Sequence, residues 1–161
     1  MLDSRAMAEM WSLNEKAAFE ALRQPESQFL ERIPHCDYHL EVRKNSKIKA
    51  FALGISAGQA VEQFAYQWFM TRFDDFVYLD RVIVEPTLHR QGIGAGLCHS
   101  LVTKAEASKQ TMLVCQVHDR PNNAVGHLFV QGMGFQAIES VMLPSREIVT
   151  MYQRSIAIAT P

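Results

Sequence analysis

The stretch Val82–Leu97, VIVEPTLHRQGIGAGL, does most to limit what this chain can fold into. An apolar, β-branched run is cut off at Glu85-Pro86, and an apolar helical pattern begins at Gly94. Three glycines, Gly92, Gly94 and Gly96, crowd the point where that pattern starts. Each costs a helix about 1 kcal/mol relative to alanine. Such a cluster serves a tight turn, a close contact, or a ligand that must touch the backbone.

The segments around it supply the rest of a sheet. YHLEVRK (38–44) alternates apolar and polar residues, Asn45-Ser46 supplies a turn, and KIKAFALGIS (47–56) continues as a second strand, a hairpin signature. FVYLDRVIV (76–84) and TMLVCQV (111–117) read as strands, and 135–152 as a final pair. Leu97, Cys98, Leu101, Val102 and Ala105 form one helical stripe, and PNNAVGHLFVQGMG (121–134) reads as a second helix. Residues 14–33 carry helical spacing that Pro25 divides into two short helices. The aromatic run 62–73 fits either a helix or a packed loop. A hairpin followed by alternating strands and helices predicts one α/β domain over 1–161, a mixed sheet with helices on both faces.

Composition narrows the function classes. With 48% hydrophobic and 20% charged residues and a net charge of −1, nothing global points to nucleic acid or an anionic membrane. No apolar run reaches signal-peptide or membrane-spanning length. Cys36, Cys98 and Cys115 are odd in number and lack CxxC spacing, which predicts reduced thiols in a cytoplasmic protein and no metal site.

The glycines do not make a nucleotide fingerprint. GxGxxG needs a third glycine where Leu97 stands, and too long a segment separates Val84 from Gly92 for its tight turn. No GK[ST] follows, so a P-loop fails as well. What remains is a glycine turn opening onto a helix N-terminus, whose N–H groups cradle phosphate. Arg90 at its rim can add a charge-assisted contact.

A strand ending in Val-Ile-Val, an acidic residue and proline, then R-Q-G-I-G-A and an apolar helix, resembles the acetyl-CoA motif of the GNAT superfamily of N-acetyltransferases. A second block strengthens the resemblance: Asn123 stands eleven residues before Gly134-Phe135. The aromatic run and the PNN…GMGF ending are similar to a functionally uncharacterised GNAT subgroup. The resemblance implies a mixed, mainly antiparallel sheet flanked by helices and splayed at its central strands to admit acetyl-CoA as cosubstrate. It implies that Val82, Ile83 and Val84 pair with the pantetheine arm. His89, Arg90, Gln91, Gly92, Ile93, Gly94 and Ala95 would hold the pyrophosphate, and Asn123 would touch the cosubstrate. The acceptor would be an amine on a small molecule or a peptide, and a homodimer stays open.

Two positions depart from the family pattern. His89 replaces the usual Gln or Arg at the head of the turn, and Val130 stands where many members carry a tyrosine that protonates the leaving thiolate. Without that acid, the rate is expected to climb from neutral toward alkaline pH with no descending limb. Glu85 is the candidate base, although a solvated strand end explains it as well. His118-Asp119 resembles a charge-paired base, and a turn accounts for it equally. His127 and Tyr152 are fallback acids. Lys104 and Arg120 are candidates for the 3′-phosphate, or plain surface cations. Cys98 and Cys115 fall on apolar faces and suit core positions better than nucleophilic ones. Tyr66, Trp68, Phe69 and Phe73 suit a core, or a wall of the acceptor site. Asn123 is an N-cap as well as a cofactor contact. The missing tyrosine sustains a second reading, a catalytically weak CoA-binding sensor or interaction module.

Overall fold

The computed structural model describes residues 2–156. Six strands form one sheet in the order β1-β2-β3-β4-β6-β5. They are β1 (Tyr38–Lys44), β2 (Lys47–Ser56), β3 (Val77–Val84), β4 (Met112–Arg120), β5 (Gln136–Met142) and β6 (Ile148–Ser155). Every pairing is antiparallel except β3 with β4. Helices α1 (Ser4–Ala17), α2 (Glu26–Arg32) and α3 (Phe64–Met70) cover one face, and α4 (Ile93–Ala107) and α5 (Ala124–Gly132) the other.

The β1–β2 hairpin closes on Asn45 and Ser46, whose φ of 55° and 64° suit the primed turn that matches strand twist. The first face buries Met10, Phe29, Phe51, Tyr66, Phe69 and Tyr78. The second buries Cys98, Leu101, Leu113, Cys115, Val130 and Tyr152. The aromatic run 62–73 is therefore helical at its centre and supplies core, with Tyr66 packed edge-on and Phe69 tilted against Phe76 and Tyr78.

Two element boundaries differ from the sequence expectation. The first helix starts at Ser4 instead of near residue 14, with the Asp3 carboxylate capping Ala6 N–H at 2.7 Å. The polar N-terminal sequence hides a narrow stripe, Ala6, Met10 and Leu13, that only tertiary packing rewards. Strand β4 runs on to Arg120, so His118 and Asp119 are strand residues and not a turn. Ladder bonds to β6 hold this polar end in line.

Candidate active site

The parallel pairing of β3 with β4 ends almost as soon as it begins: only Val77 with Leu113 and Tyr78 with Val114 are in register. Beyond them the strands part, leaving a cleft between Leu79–Val84 and Cys115–Arg120. A bulge sharpens the divergence. Leu53 sits opposite Arg81 and Gly54 opposite Leu79, so Asp80 has no partner on β2. An extra residue bends and twists its strand, and here it turns Asp80 and Arg81 to the same face, under α1 and α2. After the bulge, Glu85 N–H donates to Lys49 carbonyl at 2.9 Å. By antiparallel alternation Val82 and Val84 then direct their N–H and C=O groups into the cleft, and Ile83 directs its own toward β2.

At the end of β3 the chain turns through Pro86–Leu88 and enters α4. Gly92 caps that helix with φ 78° and no side chain, and Arg90 takes φ 64°. From Arg90 to Ala95 no backbone N–H finds an acceptor among the described residues; the first bond of α4 is Gly96 N–H to Gly92 carbonyl at 2.9 Å. Nothing lies within 4 Å of a Cβ built on Gly92. Six unfilled donors at the positive end of a helix, with open space over the cap, fit a diphosphate group. At Gly94 a Cβ would stand 3.4 Å from the Phe129 ring and 3.7 Å from Val84, ordinary contact distances, so α4, β3 and α5 meet here at the cleft mouth.

His89 opens the turn but does not face the cradle. Its N–H bonds to Pro86 carbonyl at 3.3 Å, and its Nε2 lies 2.7 Å from the Val84 carbonyl. Glu85, the candidate base, is held elsewhere. It pairs with Lys16 at 3.0 Å and Lys49 at 3.9 Å, and Thr87 Oγ1 donates to it at 2.6 Å. The Thr87 hydroxyl first, and Lys16 next, hold its carboxyl below the usual range. A carboxylate so occupied braces α1 against the end of β3 and is a poor proton acceptor.

Asn123 caps α5, accepting from Gly126 N–H at 2.9 Å. A Cβ on Gly126 would meet the Asn123 side chain, its Nδ2 at 2.4 Å, so a larger residue there would shift this cap from its present position. Val130 is 5% exposed in the core of this face, with no hydroxyl to offer. The two fallback acids do meet. Tyr152 Oη lies 2.6 Å from His127 Nδ1 and accepts from Gln131 Nε2 at 3.2 Å. His127 Nε2 reaches the His118 carbonyl at 3.0 Å and Asp119 at 2.8 Å. Residues 127 and 131 share the side of α5 that faces β6, whereas Phe129 points to Gly94 and the cleft. This chain of bonds fastens the start of α5 to β6.

On the opposite face the cleft opens into a cavity of about 180 Å³. Arg81 enters it from β3 and Gln116 and His118 from β4. Ala21, Leu22, Gln24, Arg32 and the start of α3 wall it, together with Leu143 and Glu147 from the β5–β6 loop. Asp80 lies 2.6 Å from Arg32 and 2.8 Å from Arg81. Burial works to raise its carboxyl, but the two guanidinium groups outweigh that and hold it below its ordinary value. Arg81 also donates to Asn14 Oδ1 at 2.9 Å and Leu22 carbonyl at 3.1 Å. His118 is 5% exposed, with Nε2 3.1 Å from Glu147 Oε2. Burial first pulls its pKa down, against the pull of Glu147 and Asp119 in the other direction.

Sequence reading paired His118 with Asp119; the fold gives each a separate partner, Glu147 and His127. It passed over Asp80 and Arg81, whose signal was two adjacent charges inside an apolar strand. Lys104 lies near Asp37 and Tyr38, roughly 16 Å along α4 from its start at 1.5 Å per residue, and so away from the cradle. Burial pushes the Cys36, Cys98 and Cys115 thiols up, which suits core residues and not nucleophiles. Among the described residues no group of three or more His, Cys, Asp or Glu could hold a metal ion, and no helix is long and apolar enough to cross a membrane.

Comparison with known proteins identifies the family and the fold. The profile described as "Acetyltransferase (GNAT) family" matches residues 5–135. No curated protein sequence matches the chain. Among solved structures, the ribosomal-protein-S18-alanine N-acetyltransferase from Escherichia coli is similar with a TM-score of 0.71 at 21% identity, over 99% of this chain and 93% of that one. Ard1 from Thermoplasma volcanium gives 0.74 at 11% identity, covering 97% and 95%. Arabidopsis thaliana NAA60 in complex with a bisubstrate analogue gives 0.71 at 12%, covering 98% and 97%.

Proposed function

Because the chain belongs to the GNAT acetyltransferase family, and is thereby an acetyl-CoA-dependent N-acetyltransferase, we propose that the cleft between β3 and β4 and the turn at Arg90–Ala95 together hold the cosubstrate. The observation that carries this reading is the continuity of unfilled donors. Val82 and Val84 face the cleft beside six consecutive free N–H groups from Arg90 to Ala95. The turn takes the pyrophosphate, with Arg90 at its rim. Val82 and Val84 add backbone hydrogen bonds to the pantetheine arm as an incoming strand would. Acetyl-CoA supplies an activated acetyl group and a sulfur that leaves as thiolate.

The chain's own contribution is position and polarity. N–H groups fixed along a strand act on developing carbonyl charge with no reorganisation. His89 Nε2 lies 2.7 Å from the Val84 carbonyl and occupies one acceptor position of that oxygen, which leaves the Val84 N–H free for the cosubstrate. Phe129 and Val84 meet Gly94 and give the cleft mouth an apolar wall. With Val130 in place of a tyrosine and the Tyr152 hydroxyl engaged by His127 and Gln131 of α5, no donor is required for the thiolate, since a thiol with pKa near 8.5 leaves readily. The acceptor is a primary amine on a small molecule or a peptide; the acceptor in the name of the similar E. coli enzyme, an alanine of a ribosomal protein, supports the peptide side. Three free, buried cysteines support a reducing, cytoplasmic setting.

Val130 also favours a second reading, a CoA-binding module with weak catalysis. A thiol-release assay with acetyl-CoA and a panel of primary amines separates the two. Amine-dependent release with an acetylated product establishes the enzyme. Binding of acetyl-CoA with no release above solvent hydrolysis establishes the module.

A further inference from the structure

The two halves of the cosubstrate site stand on different elements. Val82 and Val84 belong to β3, whereas the donors from Arg90 to Ala95 lead into α4. One ligand fills both only if the span between them is fixed. Residues 85–89 make that span. Their backbone bonds run from Glu85 N–H to Lys49 carbonyl at 2.9 Å, Leu88 N–H to Glu85 carbonyl at 2.9 Å and His89 N–H to Pro86 carbonyl at 3.3 Å. The first ties the end of the strand to β2, and the other two close the short turn on itself. None of them joins the cradle side to the strand.

A side chain makes that join. His89 Nε2 lies 2.7 Å from the Val84 carbonyl. A carbonyl has no proton to give, so Nε2 carries the hydrogen and donates. The bond runs from the residue just before the cradle to the last residue of β3. Beyond it the turn does not hold its shape by local preference: Arg90 has φ 64°, a left-handed backbone that a side chain disfavours. Among the described residues neither Arg90 nor Gln91 adds a side-chain hydrogen bond. A Cβ on Gly94 would stand 3.7 Å from the Val84 side chain. Such a contact limits how close the helix start can come but, unlike a hydrogen bond, has no preferred direction.

We infer that His89 is a positioning residue, which through the Val84 carbonyl sets the span between the strand slot and the phosphate cradle. The inference rests on the cosubstrate reading and deepens it. His89 acts through Val84 and not on the phosphates, because its Nε2 donor is already engaged by the carbonyl. The slot stays usable, since that oxygen keeps a second lone pair. A ligand with a diphosphate and an amide-bearing arm on one chain gains from its second contact only when the first brings the rest within reach. With the tie cut, the span spreads over a range of values. The whole ligand then loses affinity, while each half alone meets an unchanged subsite. His89 is exposed, and its bond exchanges for one to water when broken, so the fold as a whole loses little.

The test uses three ligands: acetyl-CoA, ADP as the diphosphate without the arm, and pantetheine as the arm without phosphates. His89→Ala removes the donor. His89→Gln restores one, since the glutamine Nε2 stands as many bonds from its Cα as the histidine Nε2 does. Calorimetry should find acetyl-CoA at least about tenfold weaker in His89→Ala, within the range that small misplacements cost. In His89→Gln its affinity should return to within about threefold of wild type. Amide spectra titrated with each fragment, ADP read at Arg90–Ala95 and pantetheine at Val82 and Val84, should give affinities within about twofold in all three proteins. The urea midpoint should not move.

Acetyl-CoA binding as tight in His89→Ala as in wild type overturns the inference. Tighter binding does so as well, and makes His89 a competitor for the Val84 carbonyl. Fragment affinities that fall as far as that of acetyl-CoA also overturn it, because the loss then lies within a subsite and not in the span. So does a glutamine variant as weak as the alanine one, or a wild type that binds acetyl-CoA while its amides respond to neither fragment. Failure of the wild type to bind acetyl-CoA would instead remove the reading beneath it.

Discussion

Asp80 is the residue on which the cleft depends. The bulge that frees it from β2 also brings Arg81 to the same face, and its buried carboxylate is shared by Arg81 and Arg32. Removing one partner of such a set leaves a buried charge uncompensated, at about 3–5 kcal/mol. Asp80→Ala is therefore expected to lower stability by that much in urea unfolding, while Asp80→Asn, which keeps one acceptor oxygen, should lose less. Tyr152 gives a contrasting case. Tyr152→Phe removes two hydrogen bonds at an α5–β6 brace and should cost about 1–3 kcal/mol, with no change in the alkaline part of the pH–rate profile. A new descending limb, or the loss of one, would mean that this hydroxyl serves the thiolate. At the same scale, the three thiols should resist a thiol reagent in the native protein and all react once it is denatured, because each is buried and free.

At the scale of elements, what was legible followed from local chemistry. The hairpin turn at Asn45-Ser46, the strand ending at Val84 and the stripe on α4 are written in residues next to one another, and the structure has all three. The glycine cluster marked the turn into α4 for the same reason. The meeting of Phe129 with Gly94, though, is a contact made across the fold. The start of α1 was illegible because its apolar stripe is thin until β2 and β3 cover it. The sharing of Glu85 among Lys16, Lys49 and Thr87, and the pairing of His118 with Glu147, join residues far apart in the chain. Neighbouring sequence offers no sign of them. The resulting map makes an element-level prediction. Amide exchange at Val82, Val84 and from Arg90 to Ala95 should be fast in the free protein, since these donors have no protein partner, and should slow on adding acetyl-CoA. Protection confined to β5, on the sheet edge, would contradict it.

For the whole molecule, the pH dependence of stability has a set sign. His118 and His39 both have pKa values lowered chiefly by burial. The unfolded chain takes up protons at these sites below about pH 6.5 and the folded chain resists them, so stability is complete above that pH and declines as pH falls through it. Asp80, depressed in the fold, adds a further loss only below its ordinary value of 3.8. Urea midpoints between pH 7.5 and 5 should fall, and less so in His118→Gln. Ligand linkage works in the opposite sense: acetyl-CoA at a hundred times its Kd should stabilise the fold by about 2.7 kcal/mol. The central claim, that the turn at Arg90–Ala95 holds the cosubstrate's phosphates, is tested most directly by calorimetry of acetyl-CoA with Gly92→Asp beside Gly92→Asn. Both side chains enter open space and tolerate the left-handed backbone at Gly92, so the pair differs essentially in charge. A carboxylate near a phosphate meets repulsion of about 4 kcal/mol at 4 Å for an effective dielectric constant near 20. The account predicts that Gly92→Asp binds at least about tenfold more weakly than Gly92→Asn, with the same unfolding midpoint; equal affinities would contradict it.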